Sequence, residues 1–361
     1  MRVFFLILVV AHGLIHILGF LKAFGFAEIK ELTLPVSKFW GLLWLLVTLF
    51  FLIYGIMFFT AYTYSWLFGL IALVISQVLI ISFWADAKVG TVPNVIILLV
   101  VISAVAGFRF DRMIAAETHH ILSGVAPGQS PIIRAGDIVG LPQVVQNWLK
   151  ITGTIGKPFI RSGRVVQKAL MKMKPSQKDW YAADAVQYTT SEPPAFIWAV
   201  RLKMMPLINI RGRDRFIDGH GGMLITINAL LPVVNERGPK LDEGTLQRFL
   251  GEVVWFPAMA LSPYITWEDL DDTSARATMQ YKNTEADGTF YFNEQGDFIK
   301  FVALRYKGNE PEAQRYPWVL TVDDYGEFDG IRVPVKMKAT WELEEGNWTW
   351  LDLEIVDLKY N

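Results

Sequence analysis

Cysteine is absent from this 361-residue chain. Its absence excludes disulfides, thiolate metal sites and cysteine nucleophiles together, and leaves the redox compartment open. Net charge is nearly absent too: 34 Lys and Arg against 35 Asp and Glu leave −1, so no global basic field draws the chain to nucleic acid. No G-x-S-x-G, HExxH, P-loop or calcium-loop spacing occurs, which closes the motif routes to a serine hydrolase, a zinc protease and nucleotide or calcium binding. Finally, no Asp or Glu interrupts the long apolar runs of the N-terminal third.

What is present is hydrophobicity, at 52% of residues and unevenly spread. Four apolar runs precede Arg109, over Val3–Phe20, Phe39–Phe59, Ser65–Trp84 and Val92–Phe108. Each approaches the roughly 20 residues a helix needs to cross a bilayer core. Trp40, Trp44, Tyr62, Tyr64, Trp66 and Trp84 cluster near the run ends, where amphipathic rings favour the lipid–water interface. The expectation is a four-helix transmembrane bundle over residues 1–110, in a bacterial inner (plasma) membrane. The first run exceeds the roughly 7–15-residue core of a secretory signal, so it reads as a retained span. Lys22, Lys30, Lys38 and Lys88 on one side outnumber Arg2, Arg109 and Arg112 on the other. That difference gives a slight preference for an extracytoplasmic soluble domain.

The first run contains "AHGLIHILGF", with His12 and His16 on one helix face. Haem or metal binding needs a full ligand set, and one face supplies two ligands at most. Ser76, Gln77, Asn94 and Ser103 on the other helices offer hydrogen-bond partners. A functional intramembrane polar site, such as a quinone or proton-handling contact, is the alternative. The sequence calls for no cofactor and no metal.

Residues 111–140 include the linker-like "SGVAPGQSP", and 141–361 read as a soluble α+β domain. "LPQVVQNWLKITG" gives a short helix with Val144, Val145, Trp148 and Leu149 as its apolar face and Gly153 as its stop. About ten short strands follow, separated by turns such as "DGHGG", "EADG" and "FDG". They imply a curved antiparallel sheet or half-barrel, covered by that helix and a second over 241–256. In the second helix Asp242 is placed to cap the N-terminus, and Leu246, Phe249, Leu250 and Val253 form the stripe. Arg248 and Glu252 lie opposite, in the less favourable order for a helical ion pair. They serve either a solvated face or contacts beyond the helix. Trp255 and Phe256, just before Pro257, are candidates to line a pocket.

"GRDRFIDGHG", "LQRFLGEVVWFPAMAL", "YITWEDLDD", "DYGEF", "IRVPVKMKATW" and the closing "VDLKY" resemble, in order and spacing, a large bacterial family built on a domain of unknown function. The resemblance runs from about Leu141 to the end and brings no catalytic residues. The helix-over-sheet layout also looks like the outer-membrane lipoprotein carrier half-barrel. That likeness implies room for an acyl chain or another apolar ligand between sheet and helices.

In "INIRGRDRFI", strand alternation puts Arg211, Arg213 and Arg215 on one face and Ile210, Asp214 and Phe216 on the other. Three adjacent guanidiniums need anions, either lipid head groups and other ligands or acidic residues on neighbouring strands. The preferred reading is a membrane-anchored module binding a lipid-like or amphipathic ligand, with membrane lipid or such a ligand as partner and no catalysis. The competing reading is an enzyme using Asp214, His220 and Glu252 for acid–base work, or His12 and His16 for redox chemistry.

Overall fold

The computed structural model describes residues 2–205 and 208–361. The chain divides into two compact units, Met1–Asp111 and Arg112–Asn361.

In the first unit the helices are α1 (Arg2–Ile15), α2 (Ile17–Ala23), α3 (Lys38–Phe59), α4 (Ser65–Ser82), α5 (Trp84–Ala87) and α6 (Thr91–Ser123), the last running on into the second unit. Four stretches, Arg2–Ala23, Lys38–Phe59, Ser65–Ser82 and Trp84–Ser123, are long and apolar enough to cross a membrane by length and composition. Val9, Trp44, Phe51, Leu79, Ile97 and Val101 are buried between them, whereas Phe4, Ile7, Leu42, Ile56, Val78 and Leu99 face outward and are exposed. Such a large apolar exterior is foreign to a protein surrounded by water. The first run bends at His16. There the imidazole Nδ1 donates to the His12 carbonyl at 2.8 Å, and the backbone N–H turns to Gly13 instead.

Residues 111–123, expected as the start of a linker, are helical. The reason is a stripe at helical spacing: Ile114 and Ile121 pack with Tyr188, Ala195, Ile197 and Ile217 of the sheet. The following Gly/Pro-rich stretch is irregular but tied down. Arg161 donates to the carbonyls of Ala126 at 2.7 Å and Gln129 at 3.2 Å.

Next comes α7 (Gln143–Ile151), with Val144, Val145, Trp148 and Leu149 buried as its pattern requires. It stops at Gly153, whose φ of +74° favours glycine and where a Cβ would lie 2.9 Å from the Gly330 carbonyl.

The strands are β1 (Ser162–Met171), β2 (Tyr181–Ser191), β3 (Pro194–Met205), β4 (Ile208–Ile217), β5 (His220–Ile227), β6 (Leu231–Glu236) and β7 (Ile265–Asp271). They continue with β8 (Ser274–Tyr281), β9 (Thr284–Phe292), β10 (Phe298–Tyr306), β11 (Arg315–Phe328), β12 (Ile331–Leu343) and β13 (Gly346–Tyr360). Among the described residues all thirteen form one antiparallel sheet, ordered β6-β5-β4-β3-β2-β1-β13-β12-β11-β10-β9-β8-β7. Hairpins build both halves, and the last strand returns to pair with the first. Helix α8 (Pro239–Glu252) lies against β4 and β5 and also against β8, β9 and β10. On a flat sheet β5 and β9 would be about 43 Å apart at ~4.8 Å per strand. A helix is only about 10–12 Å wide, so the sheet must curl around it into a half-barrel.

That curl changes the character of α8. Leu246, Phe249 and Leu250 are buried as expected, but so are Gln247, Arg248 and Glu252 on the other faces. Its start also differs from expectation. Gly238 precedes Pro239 at the first helical position, and Asp242 does not cap. Its carboxylate accepts instead from the Gly221 backbone N–H at 2.7 Å, tying the helix to β5. After Glu252 the chain tightens into short helical turns at Val253–Trp255 and Pro257–Leu261.

Candidate functional site

Antiparallel register places Asp214, Trp198, Gln187 and Val165 side by side on β4, β3, β2 and β1. All lie on the concave face, and α8 lowers two charged residues onto this row. Arg248 Nη1 donates to Asp214 at 3.0 Å, Nη2 to Gln187 Oε1 at 3.0 Å and Nε to Glu252 at 2.8 Å. The Gln187 amide returns a bond to Glu252 at 2.7 Å. The guanidinium lies 4.7 Å from the Trp198 ring centroid and 5.0 Å from that of Phe196, which adds cation–π attraction. The Trp198 indole donates to Gln167 Oε1 on β1 at 2.9 Å. Burial pushes the Asp214 carboxyl above its ordinary range, against the opposing charges of Arg248, Arg305 and Arg213. Of the two sequence alternatives for Arg248 and Glu252, the structure shows contacts beyond the helix.

Beside this network the concave face opens into a cavity of about 90 Å³. Met171, Met223, Leu202, Ile225 and Trp350 line it, with Asp214 at its polar edge. Beneath α8, Phe249, Phe290, Phe301 and Trp318 pack together. Trp255 and Phe256 belong to this packing and line neither cavity described here. The Trp255 carbonyl accepts from the Tyr360 hydroxyl at 2.9 Å, and Phe256 packs edge-on against the Tyr360 ring. The Val253–Trp255 turn redirects the chain and brings both rings into the core.

Arg211, Arg213 and Arg215 share the opposite, convex face, as alternation requires. For Arg213 and Arg215 the partner lies on α6. Arg213 Nη1 donates to both Glu117 oxygens, at 2.9 and 3.2 Å, and Arg215 Nη1 to one of them at 2.6 Å. Glu117 sits on the same helical stretch as Ile114 and Ile121, so one turn of α6 supplies the anion and the grease together. Arg213 is only 4% exposed, and burial pulls its pKa down. It acts as a docking contact within the fold.

A larger cleft of about 800 Å³ lies near Arg215, His120, Asp218, His220, Arg237 and Asp242. His220 is 3.3 Å from Asp242 and His120 is 3.8 Å from Asp218, which also pairs with Lys282 at 2.8 Å. The candidate acid–base set therefore separates. His220 is with Asp242, while Asp214 and Glu252 are with Arg248. Among the described residues no group of three His, Asp or Glu side chains is placed to hold a metal ion.

In the helical unit, His12 Nε2 donates to Asn94 Oδ1 at 2.9 Å and the Ser76 hydroxyl donates to His16 Nε2 at 2.9 Å. Asn94 Nδ2 donates on to Gln77 at 3.0 Å. Of the polar residues offered by the other helices, Ser76 and Asn94 meet the histidines, and Gln77 joins them through Asn94.

An antiparallel half-barrel wrapped around a buried, polar-faced helix defines the class: a β-rich domain with a partly open concave interior. The chain belongs to the family of unknown function DUF6544, whose model matches residues 131–353. Among solved structures it is similar to a LolA superfamily protein from Nitrosomonas europaea, at 11% identity, covering 60% of this chain and 93% of that one. The TM-score of 0.31 is too low for this similarity to carry an argument. A search of curated proteins finds no match.

Proposed function

We propose that the protein is a membrane-anchored binding module that holds a lipid-like, amphipathic ligand on the concave face of its sheet. One observation carries this reading: the interior keeps an apolar cavity of about 90 Å³ directly against a charged network. An apolar pocket with a few fixed polar groups is the ordinary form of a small-molecule site. At ~30 Å³ per water the space takes only the first few carbons of a chain. Met171, Met173 and Met223 line it, and unbranched thioethers yield readily to a longer guest. The larger cleft suits such a ligand less well, because most of its charged groups are paired with one another. The anchor is supported by the four apolar helices and their exposed greasy exterior.

The test is lipid retention. Full-length protein purified in mild detergent and extracted with organic solvent should release an acyl lipid near one per chain. Ile225→Trp, which fills the cavity, should abolish that release while leaving the thermal midpoint in place. Equal lipid in both proteins would overturn the reading.

A further inference from the structure

One end of the sheet carries greasy side chains that the domain itself does not cover. Met205 at the end of β3 and Leu230, Leu231 and Val233 around the β5–β6 turn are exposed, Leu231 to 63%. These segments are tied together. The Asn209 backbone N–H donates to Asn228 Oδ1 at 2.9 Å, and the Asn228 N–H donates to the Asn209 carbonyl at 2.7 Å. Asn228 and Ala229 have positive φ, +51° and +59°, and the Leu230 N–H closes the turn on the Ile227 carbonyl at 3.0 Å. A two-residue turn of this kind is tight, so Leu230 and Leu231 are held beside the start of β4.

The exposed edge continues an interior row. Register sets Leu202, Ile210, Ile227 and Leu231 side by side on β3, β4, β5 and β6. Leu202 and Ile210 line the methionine-rich cavity, Ile227 packs against the core, and Leu231 ends the row in the open. The cavity wall thus runs to the exposed edge without a polar break.

Charge narrows the choice of partner. Residues 199–213 and 224–235 contain Arg201, Lys203, Arg211 and Arg213 but no acid. Asp184 faces Arg201 from β2, Glu117 takes up Arg213, and Asp214 is turned inward to Arg248. The acidic turn with Glu344 and Glu345 joins β12 to β13, three strand steps beyond β3, or about 14 Å along the sheet at ~4.8 Å per step. Apolar tips backed by cations suit a segment seated among lipid head groups.

The path of the chain gives the orientation. Within this unit α6 runs in the same direction as β4, with His120 3.8 Å from Asp218 and Glu117 bonded to Arg215 and Arg213. From Glu117 back to Arg112 the helix recedes about 7.5 Å, at 1.5 Å per residue. From Arg213 back to Ile208 the strand recedes about 17 Å, at ~3.4 Å per residue. The start of β4 therefore projects about 9 Å past Arg112, where the chain enters this unit. Three residues separate Arg112 from Phe108, the end of the last apolar run, and that length of chain reaches at most about 14 Å.

We propose that the end of β3, the start of β4 and the β5–β6 turn rest in the head-group layer of the membrane that anchors the chain. Met205, Leu230, Leu231 and Val233 then reach the first acyl carbons. The inference rests on the anchor of the proposed function but not on its ligand.

The chain has no native cysteine, which makes site-specific labelling clean. Full-length Met205→Cys, Leu231→Cys and Val233→Cys proteins are labelled with bimane and placed in phosphatidylcholine–phosphatidylglycerol nanodiscs. A label on His220→Cys, at the opposite end of β5, is the control. Replacing part of the phosphatidylcholine with its 5-doxyl form should quench most of the fluorescence of the first three labels and leave the control bright. Aqueous iodide should do the reverse. Leu231→Glu should weaken the lipid quenching of the position-205 label. The Ile225→Trp background, with the cavity filled, should leave all three results unchanged.

Three labels as open to iodide as the control would overturn the inference and leave the concave-face reading standing. Labels shielded from both quenchers would also overturn it, by assigning the patch to another protein or to a second copy of this chain. Full-length protein that stays in solution without detergent or lipid would overturn the anchor and this inference together.

Discussion

Replacing Arg248 with methionine keeps most of the side-chain volume and removes one charge from the middle of the domain. In the native protein that guanidinium bonds Asp214, Gln187 and Glu252 at 2.8–3.0 Å and is 7% exposed. Its loss strands two mostly buried carboxylates, their side chains 15% and 11% exposed. Breaking a buried pair in this way costs about 3–5 kcal/mol, a large part of the roughly 5–15 kcal/mol that holds a domain together. With a urea slope of about 2–3 kcal/mol/M, the midpoint should fall by about 1–2.5 M. Tryptophan fluorescence of the full chain in detergent reads it directly.

Two controls separate stranded charge from lost packing. Adding Asp214→Asn and Glu252→Gln to Arg248→Met should recover at least half of the loss, because the neutral amides no longer need a cation. The pH dependence gives the second. Burial already raises the Asp214 pKa, and Arg248 is the first of the charges opposing it. Without Arg248 the folded pKa rises further above the unfolded value of ~3.9. A carboxyl with a raised folded pKa keeps its proton longer in the native state, so stability falls as pH rises from the unfolded to the folded pKa. The defect of the variant should therefore be smaller at pH 5 than at pH 8. A loss under about 1 kcal/mol, no recovery in the triple variant, or a larger defect in acid would refute the account of this network.

Glu117→Gln should cost about 2–4 kcal/mol by leaving Arg213 buried without its counter-charge, and hydrogen exchange over 112–123 should quicken; unchanged exchange would show that the pair is dispensable. Gly221→Ala puts a Cβ 2.7 Å from the Leu241 carbonyl and should cost about 1–3 kcal/mol of overpacking, read as a lower thermal midpoint. Asn94→Leu breaks the contacts to His12, Ser76 and Gln77 and should cost about 0.6–1.7 kcal/mol, measured by denaturant titration in micelles. A neutral result there would mean that packing alone joins those helices.

Much of the architecture is legible in the amino-acid order because it repeats short rules. Four apolar runs give the long helices, and period-two alternation closed by Gly- and Asp-rich turns gives the hairpins. The alternation in "INIRGRDRFI" separates the arginine face from Asp214 and Phe216 correctly. Strand β6 escapes because "LPVVNE" contains Pro232 and is mostly exposed, the composition of a sheet edge rather than an interior strand.

The site is harder to read, for a topological reason. An amphipathic helix is ordinarily buried on one side, so Arg248 and Glu252 suit a wet face as well as a dry one. Only a sheet curled around the whole helix makes that second face interior. Likewise Glu117 looks like one acidic residue near the end of a long helix. Nothing local says that Arg213 and Arg215, almost a hundred residues later, will close on it.

The central claim is that a lipid-like molecule occupies the concave face. Photolabelling tests it most directly. The full chain in its native membrane is exposed to an acyl lipid with a diazirine in the first carbons of the chain, irradiated, and digested for peptide mass spectrometry. The account predicts crosslinks on the peptides carrying Met171, Met223 and Trp350, lost in Ile225→Trp. Labels confined to residues 2–111, with none on the sheet, would contradict it.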